Sequence, residues 1–128
     1  MSVTVVDASA VAAVLFNEPE AAPVAASVSD ALLAPGLLQY EIANVCTTKL
    51  LREPAQAKLI LVRYRLLASL EIEFVQPDWE TLPLLARQWA LSAYDAAYLQ
   101  LALVRKAPLV TLDARLAEAY DKAAAQRG

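Results

Sequence analysis

No histidine occurs among the 128 residues. That absence removes the Ser/His/Asp triad, histidine acid–base pairs and the usual zinc sites. Glycine is nearly as scarce, at 2 residues, which excludes glycine-rich phosphate loops. The single cysteine, Cys46, cannot close an internal disulfide. Its apolar neighbours mark it as a buried thiol in a reducing cytosol, so the expected compartment is the cytoplasm. Positive charge is short as well: Lys and Arg number 11 against 14 Asp and Glu, for a net charge of −3. No strong global field draws such a chain to nucleic acid. A nucleic-acid partner would need its phosphates neutralised by something else, and a divalent cation held by carboxylates would serve. There is no membrane-spanning run. The apolar opening through Phe16 is interrupted by Asp7 and has no Lys or Arg before it, a poor signal peptide but a good buried strand leading into a helix.

The chain is 59% hydrophobic and 20% charged, enough to build a core, and its length suits one compact domain over residues 1–128. Val3 to Val6 is a β-branched run that reads as a buried strand. Small apolar residues from Ala8 to Phe16 predict a helix packed closely on a sheet, and Pro19 to Val28 a second, with Pro19 near its first turn. Ala31 to Ala34 reads as the second strand. Helices follow over Leu37 to Arg52 and Ala55 to Leu70, punctuated by Pro54. Ile72 to Val75 alternates as a third strand. Trp79 to Leu91 is helical, and from Ser92 a helix apolar nearly all round belongs deep in the core. Leu109 to Leu112 is the fourth strand and Ala114 to Ala125 the last helix. Strands alternating with helices predict an α/β fold of three layers, α/β/α, with a mostly parallel central sheet of about four strands.

Four acids sit where chemistry collects in this architecture. In open α/β sheets the ligand crevice lies outside the carboxyl ends of the strands. Asp7 directly follows the first strand and Asp113 the fourth. Asp95 opens the most buried helix, and Glu41 lies in the first turns of the helix after strand two. Each acid also has a purely structural reading. Asp7 and Asp113 fit helix N-caps; Ser92 and Asp95 fit a capping box, the carboxylate returning to the Ser92 N–H; Glu41 suits a helix N-terminus.

The contexts of the four go beyond capping. Val5-Val6-Asp7-Ala8-Ser9-Ala10, Tyr40-Glu41-Ile42-Ala43-Asn44, Tyr94-Asp95-Ala96-Ala97-Tyr98-Leu99 and Val110-Thr111-Leu112-Asp113 resemble the PIN-domain family, and most of all its VapC toxin branch. The resemblance runs from Val3 to about Leu116, with the motifs in the family's order. It implies a metal-dependent endoribonuclease in which Asp7, Glu41, Asp95 and Asp113 hold Mg²⁺ or Mn²⁺ and carry catalysis, with Ser9, Asn44 and Thr111 in support. It further implies an RNA substrate, a small VapB-like antitoxin as partner, and a homodimer. Many relatives add a strand after the last helix, whereas this sequence stops at Ala-Ala-Gln-Arg-Gly. Hard oxygen ligands suit Mg²⁺, which keeps several waters and takes one or two direct carboxylates, and such chemistry needs no histidine.

Other readings stay open beside it. A haloacid-dehalogenase-like phosphatase also begins with an aspartate after strand one, but needs a second acid where Ser9 stands. A receiver domain expects an acidic pair after strand one and a phosphoacceptor after strand three; Asp78 is placed for the latter, yet Asp7 has no acidic neighbour. A PIN fold serving only as a binding module is the third. Arg52 lies eleven residues after Glu41 on nearly the same helix face, with Lys49 nearby, either tracking phosphate or simply solvated, and Arg115 close to Asp113 is a further candidate for substrate contact. The Ala55 to Leu70 segment carries more apolar surface than one buried stripe needs, which fits either core or an antitoxin or dimer seam.

Overall fold

The computed structural model describes residues 2–127. β1 (Val3–Val6) runs into α1 (Ala8–Leu15), and α2 (Ala21–Ser27) precedes β2 (Ala31–Ala34). Next come α3 (Leu37–Arg52), α4 (Ala57–Arg65) and β3 (Ile72–Phe74). Then α5 (Leu82–Trp89) and α6 (Ala93–Arg105) lead to β4 (Leu109–Val110), and α7 (Ala114–Arg127) is the last element described. No strand follows it among the described residues.

The four strands pair in parallel in the order β3-β2-β1-β4. Val3 pairs with Ala31, Val5 with both Leu33 and Leu109, and Leu32 with Ile72. Handedness turns this order into layers. The crossovers β1 to β2 and β2 to β3 step one way along the sheet, and β3 to β4 steps back past β1. Because such connections are right-handed, α1 to α4 cover one face, and α5 and α6 the other. The helices pack accordingly, α1 on α2 and α3, and α6 on α5, α7, β1 and β4. The result is the three-layer α/β/α arrangement with an all-parallel sheet. β1, enclosed on both faces, buries Thr4, Val5 and Val6 in succession, as a continuous apolar run should. The buried Thr4 hydroxyl is satisfied by Ser29, whose Oγ lies 2.7 Å away and whose N–H donates to it at 3.0 Å.

The helices expected over Pro19 to Val28 and Trp79 to Leu91 are shorter, as α2 and α5, and two further segments depart from expectation for local reasons. Pro54 cannot continue a helical ladder, and Ser69 Oγ donates to the Leu66 carbonyl at 2.7 Å. The expected helix over Ala55 to Leu70 is therefore α4 flanked by 3₁₀ turns at Pro54–Gln56 and Leu66–Leu70. β4 stops at Val110 instead of Leu112 because the following residues turn their polar groups toward Ser9 and Asp7. The Leu112 N–H donates to Ser9 Oγ at 2.9 Å rather than to a strand. Cys46 is buried, and burial pushes its thiol above the usual range. No helix among the described residues is long and apolar enough to cross a membrane.

Candidate active site

Strand order singles out one crevice. β1 is followed toward β2 on one side and is flanked by β4 on the other, so the chain reverses direction between β1 and β4. At the carboxyl ends of strands, such a switch point is where open α/β sheets bind ligands. Asp7 ends β1 at this point, and the Thr111–Asp113 turn ends β4 beside it.

Asp7 is the N-cap of α1 and only 6% exposed. Its Oδ1 accepts the Ala10 N–H at 3.0 Å and the Ser9 hydroxyl at 2.7 Å, and its Oδ2 accepts the Thr111 hydroxyl at 2.5 Å. The Asp7 N–H donates to the Val110 carbonyl at 3.3 Å. Thr111 Oγ1 in turn accepts the Asp113 N–H at 3.0 Å. Ser9 and Thr111 thereby clamp one carboxylate and lock the two strand ends together. Asp113 caps α7, its Oδ1 accepting from Arg115 N–H at 2.9 Å and Leu116 N–H at 3.2 Å.

The capping box at α6 is half made. Ser92 Oγ accepts the Asp95 N–H at 3.0 Å, but no described residue donates to the Asp95 carboxylate in return. Glu41, one turn into α3, is met from across the domain: the Tyr98 hydroxyl donates to its Oε1 at 2.5 Å. Tyr98 is 1% exposed. Its role was not foreseen from the sequence, where it counts as one more apolar residue of α6. Its signal was there, since Tyr98 lies three residues after Asp95 and so shares its helix face. Asn44 is not brought in; it is exposed and makes no hydrogen bond with the acids. Lys49 is engaged elsewhere, 3.4 Å from Glu18 and over the Phe16 ring. Arg115 donates to the Ala90 carbonyl at 2.7 Å.

Glu41 and Asp95 both feel neighbouring carboxylates. Burial raises the Glu41 carboxyl above its ordinary range; the Tyr98 hydrogen bond opposes this, and the charges of Asp95 and Asp7 add to it. Asp95 is raised by burial, then by Asp113 and Asp7, with Arg115 acting against. Burial, the bond to Glu41 and the surrounding carboxylates push the Tyr98 phenol up, so it stays a neutral donor.

A model of the PIN domain matches residues 4–122. The chain belongs to the PIN-domain family. PIN domains are generally metal-dependent nucleases, typically with divalent ions. The crystal structure of PAE2754 from Pyrobaculum aerophilum is similar to this PIN domain in fold, with a TM-score of 0.75 at 19% identity over 98% of this chain and 94% of that one. No curated protein matches the chain in sequence.

The donor set fits a divalent cation. All four groups are hard carboxylates, and a carboxylate has roughly four acceptor sites. After the protein's own hydrogen bonds, Asp7 keeps one of these, on Oδ2, while Asp113 keeps Oδ2 and Asp95 keeps both oxygens. Among the described residues no three acids close into a single cage. Mg²⁺ does not require one, being held by one or two direct carboxylates and several waters. A receiver fold, by contrast, flanks β1 with β2 and β3, and β4 stands in the latter position here.

Proposed function

We propose that this PIN domain is a metal-dependent endoribonuclease, hydrolysing RNA phosphodiesters as the toxin of a VapBC-type pair in the cytoplasm, with residues 1–128 acting as one nuclease domain. The observation that carries the reading is a set of carboxylates with acceptor capacity unspent at the β1/β4 switch point, where Glu41 and Asp95 are each raised by burial and by neighbouring acids. The RNA and toxin assignments rest on the VapC-like motifs around those acids.

Asp7, Glu41, Asp95 and Asp113 would hold Mg²⁺ or Mn²⁺, and the bound cation would polarise the phosphodiester and offset charge on the leaving oxygen. The protein's share is placement. Ser9, Thr111 and the α1 N-terminus fix the Asp7 carboxylate in one orientation, and Tyr98 fixes Glu41. Such outer partners orient ligands and tune their affinity. Carboxylate crowding in a half-buried site makes the metal-free state unfavourable and the cation-bound state the relaxed one.

The partner is a small VapB-like antitoxin. α4 and its flanking turn leave Leu59, Val62 and Leu66 exposed, and an apolar strip of this kind suits a protein partner. An arginine from the same partner would pair bidentately with the acids and compete with the cation. Without it, the chain forms a C₂ homodimer, the commonest symmetry. Cleavage of single-stranded RNA should require Mg²⁺ or Mn²⁺ and stop on addition of EDTA. Undiminished cleavage by metal-free protein would overturn the mechanism.

A further inference from the structure

A second feature shares the carboxyl rim of the sheet with the acids. Beyond the ends of β2 and β3 lies a cavity of about 380 Å³, lined among others by Pro35, Leu37, Phe74, Pro77, Trp79 and Tyr94. It is open and apolar, yet three of its walls are aromatic rings that meet solvent, with Trp79 67% and Tyr94 64% exposed. Exposed aromatics gathered round one apolar groove mark an interaction or ligand-binding site more than scattered ones do. This groove adjoins the acidic site through sequence neighbours: Tyr94 precedes Asp95 on α6, and Leu37 lies one turn before Glu41 on α3.

The loop that carries Trp79 is held in place. Gln100, buried in α6, accepts the Asp78 N–H at 2.9 Å and donates to the Asp78 carbonyl at 3.1 Å and to Thr81 Oγ1 at 3.2 Å. Asp78 accepts the Glu80 N–H at 3.2 Å and the Thr81 hydroxyl at 2.9 Å. The indole N–H of Trp79 donates to Gln76 Oε1 at 3.3 Å. A buried amide and a turn-bridging carboxylate thus preorganise a ring that packs on little of its own chain, which lowers the ordering cost of binding.

With a net charge of −3, no strong overall field draws a phosphate backbone to the domain, so contacts that need no charge gain weight in holding a strand. Stacking on aromatic faces is such a contact and tolerates any base. On the nuclease reading above, we infer that this groove is a base-stacking subsite: Trp79 and Tyr94 receive an unpaired base of single-stranded RNA next to the phosphodiester presented to the acids. They are positioning residues; they hold the strand and leave the chemistry to the carboxylates.

The test uses Trp79→Ala and Trp79→Phe. Trp79→Ala should raise KM for single-stranded RNA roughly 5- to 150-fold, the range of losing one base–aromatic stack, with kcat nearly unchanged. Trp79→Phe should restore most of it. In a Trp89→Phe, Asp7→Asn background, Trp79 fluorescence should be quenched by single-stranded RNA and far less by a duplex of the same sequence, whose bases stack internally. Metal-dependent cleavage with KM and quenching both indifferent to Trp79 would overturn the subsite and leave the nuclease reading standing. A Trp79 signal that follows protein concentration instead of RNA would assign the groove to a second copy of the chain. Wild-type protein that neither binds nor cuts RNA would remove the nuclease reading and the subsite with it.

Discussion

On the proposed reading, Asp7 serves structure and chemistry together. Its cap on α1 and its clamp by Ser9 and Thr111 use most of its acceptor sites and leave one on Oδ2 free for the proposed cation. Asp7→Asn keeps an oxygen for the Ala10 N–H but turns an NH₂ toward the Thr111 hydroxyl and removes the charge. We expect cleavage to fall by more than about 100-fold, while urea unfolding shows a loss of only about 1 kcal/mol. Full activity in that variant would reduce Asp7 to a cap. Tyr98→Phe tests the residue that sequence inspection passed over. Without the phenol, Glu41 loses its only side-chain donor among the described residues, and the Mg²⁺ concentration for half-maximal cleavage should rise roughly 10- to 100-fold, as for other outer-shell groups. A Mg²⁺ titration that superimposes on wild type would show that the 2.5 Å bond does nothing for the site.

At the scale of elements, glycine scarcity leaves a mark. α5 and α6 end on Ala90 and Lys106 in the left-handed region, at φ 53 each, with backbone N–H groups closing back on the last turn. A Cβ costs about 1 kcal/mol there, and glycine is the usual occupant. Ala90→Gly should raise stability by up to about that amount, a few degrees in Tm, and Ala90→Val should lower it; thermal unfolding of the pair gives the sign. The same turn presents the Ala90 carbonyl to Arg115 and sets the entry of α6, hence of Asp95. Activity changes in either variant would report how firmly that entry is held.

Across the whole molecule, the acids and the aromatic groove occupy the carboxyl rim, and the exposed strip of α4 lies on the helical layer of α1 to α4. If the α4 strip binds the proposed antitoxin and the acids carry the proposed cleavage, this separation makes the two separable by mutation. Val62, 55% exposed, can become Glu with a stability change within about 0.5 kcal/mol. Val62→Glu should cleave RNA as wild type does but bind the antitoxin at least about tenfold more weakly, as read by calorimetry with the purified antitoxin. Unchanged affinity would place the antitoxin elsewhere. If the complex forms normally but inhibition survives loss of every basic residue in the antitoxin tail, the competing-arginine idea fails.

What could be read from residues in order was whatever rests on neighbours in the chain. Val3 to Val6 is a strand because β-branched residues recur there, and Asp7 and Asp113 follow strands because cap and strand signals are local. The family motifs are local too. Strand order is not, and it alone put β4 beside β1 and made a crevice of the two ends. Thr111 reaches Asp7 across 104 residues and Tyr98 reaches Glu41 across 57. Gln100 reads as core until its amide is seen holding the loop of Trp79. Asn44 matches its motif, yet its helix face points it to solvent. Hydrogen bonds between distant segments depend on how the layers stack, and that is decided by packing the whole chain at once.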